Sequence, residues 1–189
     1  MQPIKWSCKC GSVVAEVVPD GTRVICYCAS CQAFARHLGR LDVLDAQGGS
    51  DLFQTLPEDV TIVKGLEKLD CLRLTERGPL RWFTNCCNTP LCNTGARRGL
   101  PLAGFLVAGF SETARLGPPI ARVNRKSAQG RVEGDKGSWK KVVLRFVGRA
   151  IESYASLGFR HNPFFDKGGR PIAQPYYLDD DERKAAYAR

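Results

Sequence analysis

The chain has a single methionine, two histidines and no apolar run near the roughly 18 to 20 residues that a membrane helix needs. A helical membrane span is therefore excluded. The opening Met1-Gln-Pro-Ile-Lys-Trp lacks the apolar stretch of a secretory signal, so a soluble, cytoplasmic protein with no membrane contact is expected. His37 and His161 have no partner at ligand spacing and read as polar or surface residues. An even cysteine count is also missing: there are nine, and an odd number in tight clusters is not a disulfide framework. With 189 residues, 43% of them hydrophobic, the chain has enough apolar material for one sizeable core or two small ones.

Charge is present but unevenly spread. Of the net +9, residues 115 to 149 contribute ten lysines and arginines against Glu133 and Asp135, a local +8, while the rest is nearly neutral. The text divides accordingly, into a cysteine-rich β-domain over 1–112 and a basic helical extension with a Pro/Gly/aromatic arm over 113–189.

The first part reads as short strands between turns. Ser12–Val18 and Thr22–Tyr27 flank Pro19-Asp20-Gly21 and predict a β-hairpin. A short helix over Ser30–Leu38 follows, then strands at Leu52–Leu56, Val60–Lys64, Lys68–Leu74 and Leu80–Phe83, with Ala103–Phe110 a further apolar run. Beyond Pro118-Pro119 the period lengthens to 3.6. Trp139, Val142, Val143, Phe146, Val147, Ala150, Ile151, Tyr154 and Leu157 mark an amphipathic helix capped by Ser138, its apolar face covering the β-domain. Lys141, Arg145 and Arg149 form a row at i, i+4, i+8 on the solvent side. The segment from His161 reads as an extended arm docked through its rings, with Asp179–Glu182 frayed.

Seven cysteines carry the chemistry: Cys8/Cys10, Cys26/Cys28/Cys31 and Cys86/Cys87. In an extended chain residues i and i+2 point to one side, so both sulfurs of Cys8-Lys9-Cys10-Gly11 can face one ion. Cys26-Tyr27-Cys28-Ala29-Ser30-Cys31 offers three thiols from a strand end running into a helix start, where backbone N–H groups favour a thiolate. Three ligands with a vacancy is the pattern of a catalytic zinc rather than a closed structural one. For Cys86-Cys87 two options stand: both bind one ion if Asn88-Thr89-Pro90 turns the chain, or one sulfur faces the core. A vicinal disulfide would need a strained ring. Cys71 and Cys92 read as small core residues.

The order C-x-C-G, then C-x-C-x-x-C, then Cys87-Asn88-Thr89-Pro90-Leu91 resembles the glutathione-dependent formaldehyde-activating enzyme family, which includes centromere protein V. The resemblance spans roughly residues 5 to 112. It implies a mainly β fold of small twisted antiparallel sheets, a β-tent, here extended by the amphipathic helix and arm. It also implies a structural zinc at Cys8, Cys10 and Cys87, and a second, catalytic zinc at Cys26, Cys28 and Cys31 that takes a glutathione–aldehyde adduct, making the protein a carbon–sulfur lyase. The family's remaining structural cysteine would fall at position 84, which is Thr84; Cys86 substitutes for it only through a changed turn. Arg36 and Arg40 beside the knuckle are candidates for a substrate carboxylate, or plain helix charges. The competing expectation is a non-catalytic zinc-stapled module whose 115–149 segment engages nucleic acid or an acidic partner. Nucleic acid is disfavoured because the aromatics are expected on the buried side of the helix, apart from the basic residues.

Overall fold

The computed structural model describes residues 1–188. In chain order the elements are β1 (Ile4–Ser7), β2 (Val14–Val17), β3 (Thr22–Cys26), α1 (Ala29–His37), β4 (Ser50–Thr55), β5 (Val60–Lys64), β6 (Leu69–Arg73), β7 (Leu80–Thr84), β8 (Thr89–Thr94), β9 (Ala103–Leu106), β10 (Ala121–Val123), α2 (Trp139–Ala155), β11 (Tyr176–Tyr177) and α3 (Asp180–Tyr187). The protein is mainly β. Three strands form one sheet in the order β1-β2-β5, and eight form the other in the order β10-β3-β4-β9-β8-β7-β6-β11. Pairing is antiparallel except at the two edges, where β10 joins β3 and β11 joins β6 in parallel.

The alternation that predicts strands also explains which faces meet. In β2 the buried Ala15 and Val17 bracket exposed Glu16, and in β3 Thr22, Val24 and Cys26 point inward together. Central β7, Leu80-Arg81-Trp82-Phe83-Thr84, is buried at every position because elements cover both its faces. The main core gathers Ile4, Trp6, Phe53, Leu91, Phe105 and Phe164 between the sheets. Both core indoles satisfy their N–H groups: Trp6 Nε1 donates to the Leu106 carbonyl at 3.0 Å and Trp82 Nε1 to Thr94 Oγ1 at 2.9 Å.

The expected hairpin is not there. β2 pairs with β1 and β5, while β3 pairs with β4 and β10, so Pro19-Asp20-Gly21 carries the chain from one sheet to the other. Thr55 Oγ1 donates to the Asp20 carbonyl at 2.9 Å and fixes the corner on β4. Gly21 lies so close on Phe53 that a Cβ would overlap the ring. Turn residues mark where a chain bends; they do not say which sheet the next strand joins.

The later segment also departs from expectation. It supplies β10 and β11, the two edges of the large sheet, and Phe164 and Phe165 in the main core. Helix α2 begins where predicted, with Ser138 Oγ accepting the Lys141 N–H at 3.3 Å. Most of its apolar face, however, looks outward: Trp139 is 57% exposed, Ile151 62% and Tyr154 48%. Only Val142, Arg149 and Ser153 are buried. The predicted solvent row Lys141, Arg145, Arg149 is thus broken at Arg149, whose Nη1 donates to Thr22 Oγ1 at 3.1 Å and Nη2 to the Gln54 carbonyl at 3.2 Å. Periodicity fixes which residues share a face, whereas docking follows the partners that face finds. The Asp179–Glu182 stretch is not frayed but forms a capping box on α3: Asp179 Oδ1 accepts the Glu182 N–H at 2.8 Å and Glu182 Oε2 accepts the Asp179 N–H at 3.0 Å. Rings dock the arm only in part, since Tyr176 and Tyr177 are exposed. Among the described residues no helix is long and apolar enough to cross a membrane.

Candidate metal centres

Two cysteine clusters lie at separate places in the fold. The first joins the end of β1 to the turn between β7 and β8. Cys8 and Cys10 leave β1 through Gly11, whose φ of 71° is the left-handed region, and Cys86 and Cys87 sit in a turn closed by Asn88 at φ 51°. That turn lets adjacent cysteines face one point. Cys8 Sγ lies 3.6 Å from Cys10 Sγ and 3.9 Å from Cys86 Sγ, Cys10 Sγ 3.4 Å from Cys86 Sγ, and Cys86 Sγ 3.9 Å from Cys87 Sγ. Sulfurs bound tetrahedrally at zinc–thiolate length sit about 3.8 Å apart. The four residues can hold a metal ion, and four thiolates would fill a tetrahedral shell.

Polar neighbours fix this cluster. The Val13 N–H donates to Cys8 Sγ at 3.2 Å, and Thr89 Oγ1 lies 3.1 Å from Cys87 Sγ and accepts the Lys9 N–H at 3.2 Å. Burial alone would raise the Cys87 thiol, but hydrogen bonds from Thr84 and Thr89 bring it down to about 5; partial desolvation of its sulfur, together with the neighbouring thiols of Cys10, Cys87 and Cys8, pushes the otherwise exposed Cys86 up to about 12. Arg40 belongs here rather than at the knuckle: its Nη1 donates to Thr89 Oγ1 at 2.7 Å and to the Cys87 carbonyl at 3.4 Å, while Asp42 pairs with it at 2.7 Å.

The second cluster is built where β3 runs into α1. Cys26 ends the strand, Cys28 caps the helix by accepting the Cys31 N–H at 3.4 Å, and Cys31 lies in the first turn. The three sulfurs are within 4.8 Å of one another, with Cys26 and Cys31 buried. Asn124 Nδ2, next to β10, donates to Cys26 Sγ at 3.3 Å. Gln32 pins the loops around the site, its Nε2 donating to the Tyr27 carbonyl at 2.8 Å and the Ser127 carbonyl at 2.9 Å. Hydrogen bonds from Cys26 and then Cys31 hold the Cys28 thiol well below the usual thiol range, while the same contacts raise Cys26 and Cys31. Among the described residues no fourth cysteine, histidine or carboxylate joins them, so a metal ion held here keeps a free position.

Other residues singled out in the sequence lie elsewhere. Arg36 turns toward α3, its Nη1 donating to the Ala186 carbonyl at 2.6 Å, and is half-buried there rather than a free helix charge. His37 meets the Tyr176 hydroxyl and touches neither cluster. Cys71 and Cys92 are buried core thiols, and burial pushes Cys71 up to about 12.

One neighbour escaped the sequence reading. Arg81, in the middle of β7, is 3% exposed and lines a small cavity with Cys31, Phe34, Ser50 and Asn93. A charge inside an otherwise apolar central strand, Leu80-Arg81-Trp82-Phe83, was the available signal.

Comparison with known proteins places the chain without assigning it a role. The family model described as "Family of unknown function (DUF6151)" matches residues 2–175, a span that holds both clusters and stops short of α3. No curated protein matches the chain. Among solved structures, a Rhodobacter sphaeroides protein is 24% identical, with a TM-score of 0.41 over 61% of this chain and 96% of that one.

Proposed function

This chain belongs to DUF6151, a family of unknown function, and we propose that it is a zinc protein with one closed structural ion and one open, reactive ion. The single observation behind the reading is the contrast between the clusters: four thiols gathered within 4.8 Å of one another, and three joined by no fourth candidate ligand among the described residues. Cys8, Cys10, Cys86 and Cys87 hold the first ion and staple β1 to the β7–β8 turn. Cys26, Cys28 and Cys31 hold the second. With it goes the finer fold reading, a β-tent stapled at one end.

A zinc with three thiolates and a free position supplies a thiolate site or a Lewis acid for a carbonyl. The reaction class that fits is the reversible joining of a thiol and an aldehyde, as the sequence resemblance implies for glutathione adducts. The carbon–sulfur bond forms as the thiol proton ends on the former carbonyl oxygen, and the reverse releases both partners. Asn124 steadies Cys26, and Gln32 holds the loops that present the knuckle.

Metal analysis of the purified protein tests the division. Two zinc ions per chain are expected, with one lost in Cys28→Ser while the fold survives, and the other weakened in Cys10→Ser with a clear fall in melting temperature. One ion, lost in both variants, refutes it. Turnover of a glutathione–formaldehyde adduct by wild type and not by Cys28→Ser tests the reaction.

A second reading, a binding surface for an acidic partner or nucleic acid, is favoured by one observation. Trp139 is exposed beside Arg122, Arg125, Lys126 and Lys136 around a recess of about 440 Å³, so an aromatic ring and basic side chains share one face after all. Trp6 and Trp82 are fully buried, which makes Trp139 the exposed fluorophore. Salt-sensitive quenching of its emission by single-stranded DNA or polyglutamate would support that reading; emission unchanged by both would dismiss it.

A further inference from the structure

The side chain of Arg81 is a buried cation without an anion. Among the described residues no carboxylate pairs with it, and of its five N–H groups the one hydrogen bond made is Nη1 to Asn93 Oδ1 at 2.9 Å, with Nε buried and unpartnered. Its guanidinium carbon lies 5.3 Å from the centre of the Phe34 ring, a cation–π contact that does not supply the missing negative charge. Arg40 makes the contrast plain: it serves the other cluster and has Asp42 as its counter-ion. A charge held out of water without a partner is among the costliest features a fold can carry.

The cavity between Arg81 and Cys31 indicates where the anion is. Its volume is about 20 Å³, room for roughly one water molecule. None of the residues lining it is a carboxylate. What does lie across it is the thiol cluster, reached through Cys31. Three thiolates around a divalent ion carry one net negative charge, and one guanidinium neutralises it.

We infer that Arg81 is the built-in counter-ion of the Cys26–Cys28–Cys31 centre, a positioning residue that stabilises the metal–trithiolate form across the small cavity that Arg81 and Cys31 both line. The inference rests on the reading of that cluster as a metal site. It also explains the division of labour along β7 and its following turn: Arg81 faces the second cluster, and Cys86 and Cys87, just past the strand end, face the first.

The test compares wild type with Arg81→Met, which keeps length and loses charge, and Arg81→Lys, which keeps charge. Cobalt replaces zinc, so that thiolate-to-metal absorption reports each centre, and a chelator titration gives the affinity of each ion. Arg81→Met should weaken the second ion by about tenfold or more, the range seen when outer-shell partners of metal ligands are removed, and leave the first unchanged; Arg81→Lys should recover most of the loss. A second measurement guards against a simple folding defect. In the Cys28→Ser background, where no second ion binds, Arg81→Met should leave the melting temperature unchanged or raise it, because an unpaired buried charge has been removed. Wild-type affinity in Arg81→Met overturns the inference, as does equal weakening of both ions or an equal fall in melting temperature in both backgrounds. A wild-type protein that takes up one ion only overturns the metal reading itself, and the inference with it.

Discussion

Replacing Cys86 with serine separates the metal's contribution from that of ordinary packing. Cys86 is exposed, stands in a turn and lies outside the apolar core, so without a metal its loss should fall within about 0.5 kcal/mol, as for other surface changes. With a metal the arithmetic differs. A structural zinc contributes on the order of 10 kcal/mol to folding, and one of four thiolates carries roughly a quarter of that, about 3 kcal/mol. For a chain of this size each kcal/mol moves the melting temperature by about 2 to 4 °C, so a fall of roughly 6 to 12 °C is expected. The assay is thermal unfolding of wild type and Cys86→Ser in zinc-replete buffer and again with excess chelator. The two proteins should differ widely in the first condition and nearly coincide in the second. A Cys86→Ser protein that melts within about 1 °C of wild type with zinc present, or that differs equally in both buffers, refutes the four-thiol closure of this site.

Three further predictions bear on the fold. Phe164 is fully buried with its ring 5.1 Å from Trp82, so Phe164→Ala should cost about 3 to 5 kcal/mol in denaturant unfolding; a cost below about 1 kcal/mol would show the arm to be dispensable to the core. Arg149→Met removes the donors that tie α2 to Thr22 and Gln54 and should cost about 1 to 3 kcal/mol, whereas Arg145→Met, on the exposed side, should be near neutral by the same measurement. Burial raises the Asp59 carboxyl above its usual range. A raised folded-state value means the folded protein holds this proton more tightly, so its contribution is fully present below the unfolded value and is lost as pH rises through the folded one. Asp59→Asn should therefore raise the melting temperature at neutral pH and lose that advantage under acid, and a gain independent of pH would contradict the burial argument.

Legibility varied with how local the determining physics is. Strand β5 and the start of α2 fell where period and cap placed them, because alternation and an N-cap serine act within a few residues. The turn at Pro19-Asp20-Gly21 was legible as a bend and misread as a hairpin, since Gly21 packing on Phe53 depends on a strand thirty residues away. Cysteine spacing isolated the two clusters but left the adjacent pair undecided; the left-handed Asn88 and the turn before β8 bring Cys86 and Cys87 to one point. Arg81 went unseen because its isolation is a property of what surrounds it.

The sequence alone determined the inventory: seven clustered thiols, a mainly β text, a basic segment and an amphipathic helix, each written in spacing, period or composition. Tertiary structure decided the assignments. It separated the thiols into a group of four and a group of three, turned most of the apolar side of α2 outward, buried Arg149 and placed Arg81 on a cavity shared with Cys31. The reason is physical. Spacing and period are set by backbone geometry between near neighbours, while coordination, burial and charge pairing depend on residues brought together from distant parts of the chain, whose distances no local pattern encodes.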